Sequence, residues 1–311
     1  MAATQMIILF ALLTMLTASC VFGQSTTSNG PSVAQTTSDL NDSSMLGSRR
    51  AQLLSRDSTP KPVATDPRAV QPERPTVATH AYTVAPGYVE IEVGAQDMQP
   101  RSASQLVVPT VVKIGIVPRL QLELQGGYVR NTADGPPNTT DAGANDLAVA
   151  LKQRMLDAAP VVHDFSVQGS IKFATGSHGI STGTTDVSLL LISSRPIGGG
   201  ELDLNAGYTR RSGNGTTAPT DATLLTASFG MPIHGHVGAV AELFAYPGTA
   251  GPSGAPPQVG FLTGPTLQVQ PWLVLDAGVI LNVQHMGANA AYAGLTYNIG
   301  RIPGFPTRTS W

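Results

Sequence analysis

Residues 120–125 read Leu-Gln-Leu-Glu-Leu-Gln, and this unbroken two-residue alternation constrains the chain more than any other feature. Successive side chains of a strand point to opposite faces, so Leu120, Leu122 and Leu124 share one face and Gln121, Glu123 and Gln125 the other. In a soluble sandwich the apolar face is a core and the polar face meets water. In a membrane barrel the apolar face meets lipid and the polar face a lumen.

The pattern repeats along the chain. "GYVEIEVGAQ" (87–96) sets Val89, Ile91 and Val93 against Glu90 and Glu92, and "NDLAVALKQRM" (145–155) sets Leu147, Val149 and Leu151 against Lys152 and Arg154. "DFSVQGSIKF" (164–173), "ELDLNAGY" (201–208) and "LVLDAGVILNV" (273–283) behave alike, with Lys172, Glu201, Asp203 and Asp276 on polar positions. About twelve such runs begin near residues 87, 105, 119, 144, 161, 184, 200, 221, 235, 258, 272 and 289. Short joints such as "VPR" alternate with long Gly- and Pro-rich loops such as "NTADGPPNTTDAGA" and "YPGTAGPSGAPP". Membrane strands of about 9–11 residues, even in number, with short turns at one end and long loops at the other, fit this spacing.

Composition points the same way. Only 12% of the 311 residues are charged, about half the usual share, and the net charge of −2 offers no basic face for nucleic acid. With a single cysteine, Cys20, the chain has no intrachain disulfide and no cysteine-based metal cluster. Residues 1–23 carry the apolar run of a signal peptide ending in small residues. Cleavage there removes Cys20, whereas "LTASC" half-resembles a lipidation site that would retain it. Residues 24–75 are rich in Ser, Thr and Pro, and are expected to form a disordered periplasmic tail before a barrel spanning 76–311. Aromatic residues are few (5%), and Tyr88, Tyr128, Phe165, Phe173, Tyr208, Tyr246, Trp272, Tyr292 and Tyr297, towards strand ends, are the candidates for interfacial girdles.

Catalytic signatures are weak. "GPSGA" (251–255) is no nucleophile elbow, and "GGG" (198–200) lacks the helix of a phosphate loop. His234 and His236 could face one side of a strand, but two ligands do not make a metal site. No enzyme activity, metal or cofactor is therefore expected. The candidate functional residues are the mid-strand charges of the polar parity: Glu90, Glu92, Glu123, Lys152, Arg154, Lys172, Glu201, Asp203, Glu242 and Asp276. Glu90, Glu92 and Glu123 would form an acidic wall sector beside a basic one of Lys152, Arg154 and Lys172. Such charges either line a conducting lumen or pair across it and close it. Pro265, in "FLTGPTLQVQP", removes a ladder donor and marks a bulge or kink where the wall could open. Pro303 and Pro306 place the last strand at 289–300 rather than at the terminal Trp311.

Several of these pieces, in order, resemble a family of outer-membrane barrels named for transport in meta-pathway phenol degradation. "PERP" (72–75) with "GYVEIEVG" (87–94) is similar to its lead-in and first strand, and "VVPTVVKIGIVPRLQLELQGGY" (107–128) to its second hairpin. "NDLAVALKQRM", "IKFATG" (171–176), "STGTTDVSLLLISS" (181–194), "LDLNAGY" (202–208) and "LVLDAGV" (273–279) follow in the family's order. Glu73 stands where the family has Asp, and Ala174 replaces the proline of its turn. The resemblance covers residues 72–300 and implies an outer-membrane barrel related to hydrophobic-substrate channels.

The sequence therefore predicts an all-β, antiparallel up-and-down transmembrane barrel of about twelve strands, exported to the outer membrane of a Gram-negative-type cell. Its expected work is passive passage of small, apolar or aromatic solutes, with outer-membrane lipid and the barrel-assembly machinery as partners. The competing readings are a non-transporting scaffold or surface anchor and a soluble secreted sandwich that binds a ligand.

Overall fold

A computed structural model describes residues 66–74, 76–99, 102–212, 220–246, 258–283 and 288–305. The signal-peptide and lipidation readings at residues 1–23, most of the tail, and Trp311 lie outside the described residues.

Among the described residues are thirteen strands: β1 (Tyr88–Met98), β2 (Ala103–Val117), β3 (Leu120–Ala133), β4 (Thr139–Ala144), β5 (Leu147–Ala159), β6 (His163–Phe173) and β7 (Asp186–Ile197), followed by β8 (Gly200–Arg211), β9 (Asp221–His234), β10 (Val237–Tyr246), β11 (Gln258–Gln270), β12 (Leu273–Asn282) and β13 (Ala290–Arg301). Each pairs antiparallel with its neighbours, and β1 closes on β13 with Ala95 opposite Ala293. Strand β3 is shared, its residues 120–125 pairing with β5 and 128–133 with β4. The β4 and β5 segments thus occupy one wall position, broken at Asn145 and Asp146, and the barrel is closed with twelve strands. Closure of β1 on β13 leaves only the short β4 segment paired on one side and overturns the soluble-sandwich reading.

The turns at one end are minimal. Gly198 and Gly199, both with positive φ (58° and 84°), make the two-residue connection of β7 and β8 that matches the strand twist. Arg119, Gly235 and Trp272 sit in comparably short turns, whereas the other end carries the long connections, including 174–185 between β6 and β7. Short turns mark the periplasmic end in barrels of this kind.

Side-chain parity assigns the faces. Leu151, Val187, Leu189, Leu243 and Leu295 are exposed on the outside, where lipid is the solvent. The opposite parity is polar and buried, and along β3 it comprises Gln121, Glu123 and Gln125. Two residues expected in an interfacial girdle, Tyr246 and Tyr292, point inward instead and are buried. At Pro265 the β11–β12 ladder passes from Thr263 opposite Val279 to Thr266 opposite Asp276, skipping two pairs without changing register. No residue is inserted, so the expected bulge is absent; proline simply withdraws its donor.

The larger correction concerns residues 66–74. Composition suggested a disordered tail, yet Val70, Gln71, Glu73 and Arg74 are buried within the barrel, as are residues 76–82 that precede the wall. The wall begins only at Tyr88.

Leu122 lies on the lipid parity of β3, opposite Leu151 on β5. Leu122→Lys should cost about 2–4 kcal/mol if the position is at mid-bilayer. The expected readout is loss of the compact, heat-modifiable band in unheated gels; an unchanged band would place this face against protein or water.

Candidate functional site

The lumen is filled by residues 68–74 and 76–86, a strap of mostly extended backbone that enters and leaves at the short-turn end. Near its start, the Val70 N–H donates to the Pro271 carbonyl (2.9 Å), and Arg68 lies over the Trp272 ring (5.1 Å). Going inward, the Gln71 N–H donates to Glu90 (2.9 Å) and the Glu73 N–H to Glu92 (2.7 Å). Alternate N–H groups of an extended chain point the same way, and Pro72 between them has none to satisfy. The strap turns where the N–H groups of Val77 and Ala78 both donate to the Glu242 carboxylate (2.7 and 2.6 Å). Asn205 then serves Thr79 twice, accepting from its N–H (2.7 Å) and donating to its carbonyl (2.8 Å). On the way back Ala81 donates to Ser194 Oγ (2.7 Å), Val84 to Gln121 Oε1 (2.7 Å) and Gly87 to the Gly115 carbonyl (2.7 Å). Gly115 is required for that approach, because a Cβ there would lie 2.2 Å from the Ala85 carbonyl oxygen.

Buried charges knit strap to wall. Lys113 sits between Glu90 (2.6 Å) and Glu92 (2.5 Å) and donates to the Gln71 carbonyl. Lys152 pairs with Glu73, lies 3.9 Å from Glu123, and donates to Thr79 Oγ1 and the His80 carbonyl (3.3 Å each). Of the residues singled out in the sequence, Glu90, Glu92, Glu123, Lys152, Glu201, Asp203, Glu242 and Asp276 are buried in the interior. Arg154 instead sits at the short-turn end, paired with Asp157 (2.6 Å) and Asp164 (3.2 Å) and stacked over Tyr82 (4.6 Å). Lys172 is at the other end, near Asp186 (3.0 Å) and Asp146 (3.4 Å). Separate acidic and basic sectors do not exist, because Lys113 interleaves with the glutamates. Sequence reading passed over Lys113, Asn205, Asp186 and Arg211, and noted Gln121 and Asp146 for their polar parity without counting them as candidates. Lys113 shares the parity of Val111 and Gly115 in β2, a signal that was available.

At the outer end the 174–185 connection folds inward and is held by Asp146. That carboxylate accepts from Ser181 Oγ (2.6 Å), the N–H groups of Gly176 (2.9 Å) and Thr182 (3.0 Å), and Thr182 Oγ1 (2.8 Å). Ile180 is buried against Val107 and Val129. Burial works against ionisation of Asp146, but these donors outweigh it and hold its pKa below the ordinary aspartate value.

The outer half of the lumen also differs in character. Val240, Phe244, Tyr246, Leu262, Ile280 and Tyr292 form an apolar cluster that Val77 of the strap joins. Beside it is a cavity of about 60 Å³ whose lining includes Lys172, Leu190, Arg211, Leu224 and Tyr246.

Two outcomes are expected. Glu242→Ala leaves two N–H groups without acceptors at about 1–3 kcal/mol each, so amide exchange at Val77, Ala78 and Thr79 should accelerate while wall amides stay protected. Asp146→Ala should make residues 176–183 cleavable by added protease while the wall resists. For Asp146 itself the lowered pKa stabilises the loop above the ordinary value and is lost as pH falls through the lowered one. Protease resistance of the loop should thus persist from pH 8 to about 5 and fail only below about pH 4.

Comparison with known proteins places this architecture. A family model described as "Putative MetA-pathway of phenol degradation" matches residues 73–299. An outer-membrane channel from Pseudomonas putida F1 has the same fold, with a TM-score of 0.53 at 12% identity, covering 70% of this chain and 97% of that one. The KdgM porin bound to oligogalacturonate is more distant, with a TM-score of 0.45 at 9% identity over 66% of this chain and 98% of that one. The translocator domain of the autotransporter NalP from Neisseria meningitidis gives 0.41 at 10% identity, over 68% and 87%. No curated protein matches the sequence. With its wall and most of its strap inside the matched span, this chain is a twelve-stranded transmembrane barrel that belongs to the "Putative MetA-pathway of phenol degradation" family.

Proposed function

We propose that the chain is an outer-membrane channel for small apolar or aromatic solutes, closed in the state described here by its own strap. The observation that carries this reading is the apolar cluster of Phe244, Tyr246, Leu262, Ile280 and Tyr292 on the inside of the wall. An aqueous pore lined by such a surface would hold its water poorly, whereas an apolar solute gains by contact with it. Family membership supports the same reading, and so does the fold shared with an outer-membrane channel from Pseudomonas putida F1. Export by residues 1–23, insertion by the barrel-assembly machinery and residence in the outer membrane complete the proposal. Cleavage would discard Cys20.

A second reading rests on the strap. Its N–H groups are so fully matched to Glu90, Glu92, Glu242, Asn205 and Gln121 that a permanently closed scaffold or surface anchor is the alternative.

Uptake by proteoliposomes separates them. Wild-type barrel should admit a radiolabelled aromatic solute faster than protein-free liposomes and faster than a sugar of similar size. A double variant, Glu242→Ala with Asn205→Ala, should raise aromatic uptake further by loosening the strap. If neither protein exceeds the protein-free rate for any solute, the scaffold stands and the channel falls.

A further inference from the structure

We propose that the cavity in the outer half of the lumen is a binding site for a small monocarboxylate with a short apolar body; this rests on the channel reading and names a solute class for it.

The lining has two unlike sides. On one, Lys172 and Arg211 are its charged groups, accompanied by Gln125, Ser170, Ser188 and Thr209, and no carboxylate lines the space. The carboxylate behind these cations is Asp186, buried and 3.0 Å from Lys172 and 3.8 Å from Arg211, which fixes their position from outside the cavity. Lys172 also donates to Asp146 (3.4 Å), which accepts four further bonds from the 174–185 loop, and to Thr182 Oγ1, so an incoming carboxylate joins or displaces these acceptors. An ammonium and a planar guanidinium side by side, with neutral donors around them, suit a carboxylate head.

The other side is apolar. Leu190, Ala222, Leu224 and Tyr246 face the same space, and Gly207 leaves room between Leu190 and Leu224. Ala81 of the strap belongs to one buried cluster with Leu190 and Ile192, and Leu224 packs against it. A dicarboxylate or a sugar would set polar atoms on these leucines without partners. Size limits the body: the cavity is about 60 Å³. That is less than half of the roughly 150 Å³ that accepts benzene in an engineered core, so it seats a carboxylate head and the first carbon, and the rest of a short chain projects from its open side.

The test uses the full chain in non-ionic detergent, titrated calorimetrically with butyrate, 1-butanol and butylammonium. Butyrate should bind at least about tenfold more tightly than either analogue, a difference of about 1.4 kcal/mol. Lys172→Gln and Arg211→Gln should each weaken butyrate about tenfold and leave butanol unchanged. Gly207→Val fills the cavity without altering a charge and should remove butyrate binding while the heat-modifiable band persists. If Arg211→Gln fails to fold, Lys172→Gln and Gly207→Val decide the matter. Equal binding of butanol and butyrate, butyrate binding undiminished in Gly207→Val, or no saturable butyrate binding to the wild type would each overturn the proposal. Equilibrium binding needs no passage, so a chain that binds butyrate without conducting refutes only the channel. A chain that passes aromatic solutes without this binding refutes only the site.

Discussion

A peptide N–H removed from water has to find an acceptor, and that requirement shapes both the wall and what fills it. In lipid it is met by closing the sheet, so that β1 pairs with β13 and β5 continues the wall from β3 to β6. Inside, it is met differently. The strap borders no strand along most of its length, and the wall offers it side-chain oxygens in place of carbonyls: Glu90, Glu92, Glu242, Asn205, Ser194 and Gln121 each accept one or two of its N–H groups. The lumen side of the barrel is therefore a recognition surface for backbone, and it specifies a path more than a side-chain sequence.

Using carboxylates for this task has a consequence. A buried carboxylate is costly unless it is paired and hydrogen-bonded, and removing one partner leaves the other charge stranded. Lys113 and Lys152 supply the pairing, and each also donates to a strap carbonyl or carboxylate. Strap and wall thus hold one another's charges, and neither half of the network is satisfied without the other. This mutual dependence explains why a proline-rich segment with little apolar surface is ordered at all.

The same fact explains what the sequence could and could not reveal. Strand parity is local, because each strand carries its own record of which face meets lipid, and eleven of the twelve wall positions begin within two residues of where alternation placed them, the exception being the one split into β4 and β5. The strap is the opposite case. "PRAVQPERPTVATHAYTVAP" (67–86) has no period, and its hydrogen-bond partners on the wall strands are 19 to 230 residues away in sequence. Composition classed residues 66–74 as disordered because it counts a segment's own apolar surface and not the acceptors that distant strands provide. Tyr246 and Tyr292 failed for a related reason: position near a strand end suggested a girdle, but parity, which sets direction, points both inward.

The two halves of the lumen are then joined by the strap itself. Its lower part is bound by charge and its turn by Glu242, yet Val77 lies in the apolar cluster and Ala81 rests on Leu190 beside Leu224. Releasing one N–H strands its acceptor until water arrives, so a channel that opens by moving the strap would do so best in one concerted step. A molecule seated on Leu190 and Leu224 occupies surface next to Ala81 and competes for contacts that hold the strap's return leg. Any such molecule that binds better to the withdrawn arrangement shifts the population towards it by its differential affinity, and by linkage a loosened strap binds that molecule more tightly. On the channel reading, occupancy of the outer cavity and closure of the inner lumen would then be one equilibrium, read at two ends of the same strap.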